Sequence, residues 1–189
     1  YQYMGETGVG YARLQSGWAK SEPKKGKYDF AWLDRQVDEL LARGLKPWLC
    51  LCYGNVVYDA LAKKYYGAVG CTPIRTERAY AAWLKYAEET AKHFAGRIEY
   101  YEIWNEPELD DEDAPDKRTW GGTKAQFFNF YEIAAKHLKS KFPNLKIGGP
   151  ASCGNEHWVD DFIKEMSLRN VPLDFFSWHI YSYEPIWIV

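Results

Sequence analysis

Short apolar runs alternate with amphipathic stretches along this chain, and that alternation constrains its fold more than any other feature. The runs have the length of strands and lie at Tyr11–Gln15, Pro47–Tyr53, Ile98–Trp104, Leu145–Pro150 and Phe175–Tyr181. Between them, apolar residues recur at helical spacing from Asp29 to Leu41, from Thr76 to Phe94, from Lys124 to Lys141 and from Trp158 to Arg169. Buried strands that alternate with helices form parallel βα units. The sequence therefore predicts an α/β fold with a parallel sheet.

The ends of the first predicted helix carry recognisable signals. Asp29 stands at the position of an N-cap, where a carboxylate accepts hydrogen bonds from the first helical amides. Gly44 follows as a stop signal, because glycine readily adopts the left-handed conformation that ends many helices. After the second strand, a long irregular loop is expected from Gly54 to Thr72.

Two architectures accommodate parallel βα units, an open doubly wound sheet and a (β/α)8 barrel. The glycine patterns that mark dinucleotide-binding and phosphate-binding loops are absent, because the turns GVG and GGPA have a different spacing. We therefore expect a barrel. A complete barrel needs about 250 residues and eight strands. This chain has 189 residues, so the prediction is a partial (β/α)8 TIM barrel.

The composition excludes several classes of protein. With 24 Lys and Arg against 26 Asp and Glu, the formal net charge of −2 leaves no broad basic surface for nucleic acid or an anionic membrane. Charged residues interrupt every long apolar run, so no segment is predicted to span a bilayer. Aromatic residues make up 17% of the chain, which excludes disorder and supports a large core. Surplus Trp and Tyr also suit stacking on sugars, although core packing is the better interpretation for any one of them.

The four cysteines, Cys50, Cys52, Cys71 and Cys153, are too few for a disulfide-dense scaffold in a chain of this size. They show neither a CxxC motif nor a paired Cys/His spacing, so no metal site is predicted. We interpret them as buried thiols, with one disulfide bridge as the alternative. No cofactor is predicted either.

The most specific motif is Trp104-Asn105-Glu106-Pro107, at the carboxyl end of the third predicted strand. In a barrel, that end of the strands carries the active site. A carboxylic acid beside an amide that can hydrogen-bond a sugar hydroxyl suits the cleavage of glycosidic bonds. The alternative is a structural role, in which Glu106 caps a helix or pairs with a lysine.

Together with its flanking segments, this motif resembles the retaining (β/α)8 glycoside hydrolases of clan A, most of all glycoside hydrolase family 39, the β-xylosidase and α-iduronidase-like group. Residues 28–34 and 44–47 resemble the family's helix between strands two and three, residues 102–107 strand four, residues 146–151 strand five and residues 174–181 strand six. The resemblance implies that residues 1–189 are the central part of a single TIM-barrel catalytic domain, with strands two to six and the helices between them.

The matched motifs imply roles for individual residues. By resemblance, Glu106 is the general acid/base and Asn105 contacts the sugar 2-hydroxyl. His179 and Tyr181 match a strand-six pair that lines the sugar subsite and contacts the catalytic carboxylates. Arg13 matches a strand-two arginine near the nucleophile, although Gln15 follows it where the family more often has histidine.

Strand geometry supports part of this assignment without the family. His179 and Tyr181 are two residues apart, so they share a strand face with Ser177. Trp178 and Ile180 then point to the other face, toward the helices. The sequence therefore predicts one polar face and one apolar face at the end of this strand.

The adjacent residues Asn105 and Glu106 would point to opposite faces of a regular strand. Both can face the site only if the strand end contains a bulge or a twist. Trp120, in the loop after the same strand, is a further candidate for stacking on a sugar.

The nucleophile of the resembled family is a glutamate at the end of strand seven. The only carboxylate after Tyr181 is Glu184, which we interpret as a loop residue. The first strand is not recognised either. We therefore expect a fragment whose nucleophile lies beyond its C-terminus.

The resemblance implies hydrolysis of O-glycosidic bonds by retaining double displacement. One carboxylate attacks the anomeric carbon while Glu106 protonates the leaving oxygen, and Glu106 then activates water. The alternative is a non-catalytic carbohydrate-binding or scaffolding half-barrel. A carbohydrate is the expected partner in both cases, and the choice between xylosides, uronides and other sugars stays open. The open edges of an unclosed barrel would also allow self-association.

Overall fold

The computed structural model describes residues 3–60, 62, 74, 76–114 and 118–181. Its strands are β1 (Tyr11–Gln15), β2 (Lys46–Leu51), β3 (Tyr100–Ile103), β4 (Lys146–Ser152) and β5 (Phe175–Trp178). Its α-helices are α1 (Trp18–Ser21), α2 (Ala31–Leu41), α3 (Glu77–His93), α4 (Lys124–Lys141) and α5 (Glu156–Leu168), and a 3-10 turn at Met4–Glu6 precedes them. Most of the loop expected from Gly54 to Thr72 lies outside the described residues, as do Cys71 and Glu184.

The strands form one parallel sheet in the order β1-β2-β3-β4-β5, and the sheet curls into half of a barrel with helices between the strands. Tyr11 of β1 pairs with Lys46 of β2, and Trp48 of β2 pairs with Tyr100 of β3. Every neighbouring pair is parallel, so the carboxyl ends of all the strands meet at one rim. The predicted fold class, an α/β partial barrel, is confirmed.

Hydrogen bonds from polar side chains define where the long helices begin. Thr76 Oγ1 accepts a hydrogen bond from Ala79 N at the start of α3, and Thr123 forms a reciprocal capping box with Gln126 at the start of α4. The N-cap prediction for Asp29 is wrong by one residue, since Phe30 occupies that position. The Asp29 carboxylate still accepts a hydrogen bond from the first helical amide, at 3.0 Å.

The short helix α1 is absent from the predicted elements, because four residues are too few to show a helical period. None of the helices that the structure describes is both long and apolar enough to cross a lipid bilayer.

Two glycines of the GGPA turn allow β4 to lie close to its neighbours. A Cβ atom at Gly148 would collide with the carbonyl oxygen of Phe175 in β5. A Cβ atom at Gly149 would lie 2.9 Å from the carbonyl oxygen of Ile103, and Gly149 has a φ of +121°. The pair therefore serves strand packing, which explains glycines here without a phosphate-binding role.

The core lies between the sheet and the helices. Its largest fully buried side chains are mostly aromatic, and they include Trp18, Trp83, Trp104, Tyr86, Tyr101, Tyr131, Phe94, Phe127, Phe130 and Phe162. Aromatic side chains bury more apolar area per residue than aliphatic ones and so contribute strongly to folding. The interpretation that most aromatic residues form the core is confirmed for these positions.

The edge beyond β5 exposes apolar side chains. Trp178 stacks on Phe176, which packs near Phe162 of α5, so Trp178 lies on the helix-facing side as predicted. It is nevertheless 62% exposed, and Ile180 is 81% exposed. Apolar surface beside an outer strand favours contact with further protein, and self-association through this edge stays a prediction.

Candidate active site

The concave face of the half-barrel encloses a cavity of about 570 Å³. Its walls are mainly aromatic, and Arg13 and Glu102 add charged groups among those aromatic side chains. Ser177 and His179 lie along the same cavity near the carboxyl end of β5. The aromatic residues Tyr11, Tyr100 and Phe175 lie at the amino ends of β1, β3 and β5, so the part of the cavity near the carboxyl rim is the polar end at Ser177 and His179.

The backbone at the end of β3 is irregular, and it brings Asn105 to Arg13 and Glu106 to His179, two residues that line this cavity. Trp104 has a φ of 70° and Glu106 a φ of 48°, both in the left-handed region that non-glycine residues seldom occupy. Glu106 N donates to the carbonyl oxygen of Ala151 at 3.1 Å, which anchors the turn to β4. The irregularity that the sequence required is therefore present. Strain of this kind costs about 1–3 kcal/mol per residue and concentrates at functional sites.

The Glu106 carboxylate contacts His179 across the rim. His179 Nδ1 lies 2.6 Å from Glu106 Oε1, and the two side chains are 23% and 13% exposed. The ring of Tyr181 lies edge-on to His179, with the ring centroids 6.3 Å apart. Glu106 neither caps a helix nor pairs with a lysine here, because its carboxylate is hydrogen-bonded to a histidine and Thr123 caps the following helix.

Arg13 links two residues of the site. Its Nη2 donates to Asn105 Oδ1 at 2.8 Å, and its Nε donates to Glu102 Oε2 at 2.7 Å. A guanidinium only donates hydrogen bonds, so the oxygen of the Asn105 amide faces Arg13 and the amide NH2 faces the other way. Burial opposes the charge of Arg13, but Cys50 and the Glu102 carboxylate nearby outweigh it and raise the pKa of Arg13 above its ordinary value.

Glu102 is the functional-site residue that sequence reasoning missed. Its side chain is fully buried, and Ser177 Oγ donates to its Oε1 at 2.6 Å. The available signal was a glutamate inside an apolar strand, because a buried carboxylate needs a cation or several hydrogen-bond donors. Arg13 and Ser177 supply them from β1 and β5.

The loop after β3 is joined to the end of β4 through Glu108. Its Oε1 accepts hydrogen bonds from Ser152 Oγ and Cys153 N. Burial raises the pKa of the Cys153 thiol to about 11, and the carboxylates of Glu106 and Glu108 contribute to the increase. Cys153 therefore lies beside Glu106 as a neutral thiol at neutral pH.

The cysteines of the described ranges are free thiols. Cys50 and Cys52 are buried, which matches the interpretation from the sequence, and Cys50 Sγ donates to the carbonyl oxygen of Trp104 at 3.1 Å. In the residues that the structure describes, no three His, Cys, Asp or Glu side chains are arranged to hold a metal ion.

Trp120 does not face the cavity, which corrects its prediction as a sugar-stacking residue. Its side chain is only 3% exposed, and its Nε1 donates to the carbonyl oxygen of Thr123 at 3.0 Å. The indole stacks on Phe130 and meets Trp104 edge-on, with centroid distances of 5.4 and 5.1 Å. The loop after β3 folds back onto α4, so the ring has no open face for a sugar.

Comparison with known proteins gives three consistent results. The model of the family described as glycosyl hydrolases family 39 matches residues 12–186. A β-xylosidase of Geobacillus stearothermophilus is 33% identical over 168 residues, and one of Caldicellulosiruptor saccharolyticus is 30% identical over 162 residues. The solved structure of a family 39 β-xylosidase from Caulobacter crescentus aligns with a TM-score of 0.75 at 26% identity, over 95% of this chain and 41% of the other.

Both sequence matches cover 82% of this chain but only 31% of the relative. The chain therefore spans about a third of the length of the relatives it matches. The family model, over residues 12–186, includes the strands that carry the candidate site.

Proposed function

The chain belongs to glycosyl hydrolases family 39, and from this membership we propose that it is the central part of a single TIM-barrel catalytic domain that hydrolyses O-glycosidic bonds with retention of configuration. One observation carries the proposal. The carboxylate of Glu106 lies at the carboxyl rim of the sheet, bound to His179 and next to the oriented amide of Asn105.

In this proposal Glu106 is the general acid/base. His179 occupies Oε1, which leaves Oε2 to deliver a proton to the leaving oxygen and later to accept one from water. The contact with His179 restricts the rotation of the carboxylate, so the proton is held in one direction. Asn105 donates to the 2-hydroxyl of the sugar, and His179 and Tyr181 line the sugar subsite.

A retaining mechanism needs a second carboxylate at about 5–5.5 Å from the first. Glu102 is unsuited to this role, because its side chain is fully buried and both of its oxygens are engaged by Arg13 and Ser177. We assign the nucleophile to a glutamate on the strand that would follow β5 in the closed barrel. A strand beside β5 would border the cavity on the side lined by Ser177 and His179.

We propose β-xylosides as the substrates. Two relatives of at least 30% identity are named β-xylosidase, and a solved structure with a TM-score of 0.75 carries the same name. Each name describes that relative alone, so the sugar specificity of this enzyme is tested in a separate assay.

The test is Glu106→Gln in the full-length enzyme, assayed on a series of aryl β-xylosides. Poor leaving groups need protonation, so their kcat/KM should fall by about 100-fold or more, within the usual contribution of general acid catalysis. Substrates with strongly acidic phenols should still form the glycosyl-enzyme at near the wild-type rate.

Glu99→Gln is the matched control, because Glu99 is exposed just before β3. The Glu99→Gln variant should keep the wild-type kcat/KM on every substrate of the series. Equal activity of Glu106→Gln and Glu99→Gln on poor leaving groups would exclude Glu106 as the acid.

A further inference from the structure

Glu102 is a fully buried carboxylate in the wall of the cavity that the proposed mechanism does not use. Glu102 lies on β3 and accepts hydrogen bonds from side chains of β1 and β5. Arg13 Nε lies 2.7 Å and Arg13 Nη2 2.5 Å from its Oε2, and Ser177 Oγ lies 2.6 Å from its Oε1. A buried charge persists only when it is paired and hydrogen-bonded, and Glu102 satisfies both conditions.

The direction of each hydrogen bond around Glu102 is fixed. Ala151 N donates to Ser177 Oγ at 3.0 Å, which leaves the hydroxyl proton of Ser177 for Glu102. Arg13 has no acceptor, so it also donates. Glu102 therefore accepts on both oxygens, which is what its ionised form requires.

The guanidinium of Arg13 also donates a hydrogen bond to Asn105. Arg13 Nη2 lies 2.8 Å from Asn105 Oδ1, and Asn105 is 5% exposed. If Arg13 were free to turn, the Asn105 amide could rotate and present its oxygen instead of its NH2 group to a ligand. The pair Arg13–Glu102 removes that freedom, because Glu102 holds Nε while Nη2 reaches Asn105.

We propose that Glu102 is a positioning residue for sugar recognition: through Arg13 it fixes the Asn105 amide so that its NH2 group meets the 2-hydroxyl of the bound sugar. This inference rests on the proposed function, since it assumes that the site binds a sugar. Glu102 itself touches no substrate. Its removal therefore affects ligands that carry a 2-hydroxyl and spares ligands that lack one.

The test compares Glu102→Gln with Glu99→Gln, the same substitution at an exposed position three residues earlier. Full-length enzymes are assayed on an aryl β-xyloside and on its 2-deoxy analogue. Loss of a charged hydrogen bond corresponds to about a tenfold to hundredfold change, and we expect that decrease in kcat/KM of Glu102→Gln for the xyloside. For the 2-deoxy analogue the decrease should stay below about threefold.

The dependence on Asn105 is measured in a double-mutant cycle. In the background of Asn105→Ala, Glu102→Gln should lower the xyloside kcat/KM by less than about twofold, because the residue it orients is absent. Equal losses on both substrates, or unchanged losses in the Asn105→Ala background, would overturn the proposal and leave Glu102 a structural residue.

Ser177→Ala provides a second variant should Glu102→Gln fail to fold. This variant removes the donor to Oε1 of Glu102 and keeps the ion pair with Arg13. The kcat/KM for the xyloside should therefore fall relative to the 2-deoxy analogue by a smaller factor, about threefold to tenfold. Calorimetric titration with xylose and 2-deoxyxylose measures the same discrimination without turnover. The catalytic proposal is tested separately, by the loss of kcat/KM of Glu106→Gln on poor leaving groups. The proposal for Glu102 can therefore fail while the proposal for Glu106 holds, and the reverse.

Discussion

His179 Nδ1 and Glu106 Oε1 lie 2.6 Å apart, and this contact joins the segment after β5 to the turn after β3. The two residues are 73 positions apart in the chain, so the parallel sheet brings them together. Each element contributes one half of a hydrogen-bonded pair at the rim of the barrel. The orientation of the proposed acid therefore depends on a segment that follows a strand two positions away in the sheet.

His179→Asn should weaken catalysis through Glu106 and leave the fold intact. The variant loses the ring that restrains the carboxylate, and a hydrogen bond to a charged group is worth about 1.5–3 kcal/mol. We expect kcat/KM on aryl β-xylosides to fall by about tenfold to hundredfold. His93→Asn is the control, because His93 lies outside the cavity and bonds Asp34 on the surface. Similar losses in the two variants would contradict the proposed role of His179.

Trp120→Phe should affect stability rather than sugar binding. The variant keeps the aromatic packing but loses the hydrogen bond to the Thr123 carbonyl. We expect the free energy of unfolding to fall by about 1–2 kcal/mol in urea denaturation, with KM for the xyloside changed by less than about twofold. A large rise in KM at unchanged stability would restore Trp120 as a sugar-stacking residue.

The strands and helices were predictable because their signals are local. Alternating apolar runs and helical periodicity indicated all five strands and all the helices longer than one turn in the part of the chain that the structure describes. Thr76 acts as the N-cap of α3. Gly44 has a φ of +76° just after α2, the left-handed conformation that is expected of a glycine at a helix end. These features depend on residues within one helical turn or one strand.

The site was predictable only in part, because its contacts join distant segments. The motif around Glu106 and the parity of His179 were sufficient to place these residues at one rim. The contact between Arg13 and Glu102 joins residues 89 positions apart, and no local pattern predicts it. Trp120 failed for a similar reason, since its burial depends on how its loop packs against α4.

Asp174 should make stability sensitive to acid. Burial opposes its charge, but Lys139 at 2.8 Å and the Ile147 amide at 2.8 Å hold the pKa of Asp174 below its ordinary value. A depressed pKa in the folded state contributes stability above the unfolded pKa near 4, and this contribution is lost as the pH falls through the folded pKa.

Asp174→Asn should therefore lower the free energy of unfolding by about 1 kcal/mol at pH 7, a small value because the pair is partly exposed. The difference from wild type should shrink as the pH falls below about 4. Asp160→Asn, on the exposed face of α5, is the control in the same urea titrations. A difference that is independent of pH would contradict the assigned ion pair.

Residues 1–189 expressed alone should show no efficient hydrolysis of aryl xylosides or glucuronides. Glu106 supplies one carboxylate, and Glu102 is too buried to supply the second. The exposed apolar edge at Trp178 and Ile180 should also make this segment self-associate, as measured by light scattering. A monomer with Glu106-dependent turnover would contradict this prediction and would place the nucleophile within the chain.

The most direct test of the central claim is the product that Glu106→Gln forms with azide. An activated aryl β-xyloside is supplied to the full-length variant, and the anomeric configuration of the xylosyl azide is read by proton NMR. If Glu106 is the acid/base of a retaining enzyme, the glycosyl-enzyme still forms and azide attacks it from the opposite face, so β-xylosyl azide is the predicted product. The formation of α-xylosyl azide would show that Glu106 is the nucleophile and would contradict its assignment as the acid/base.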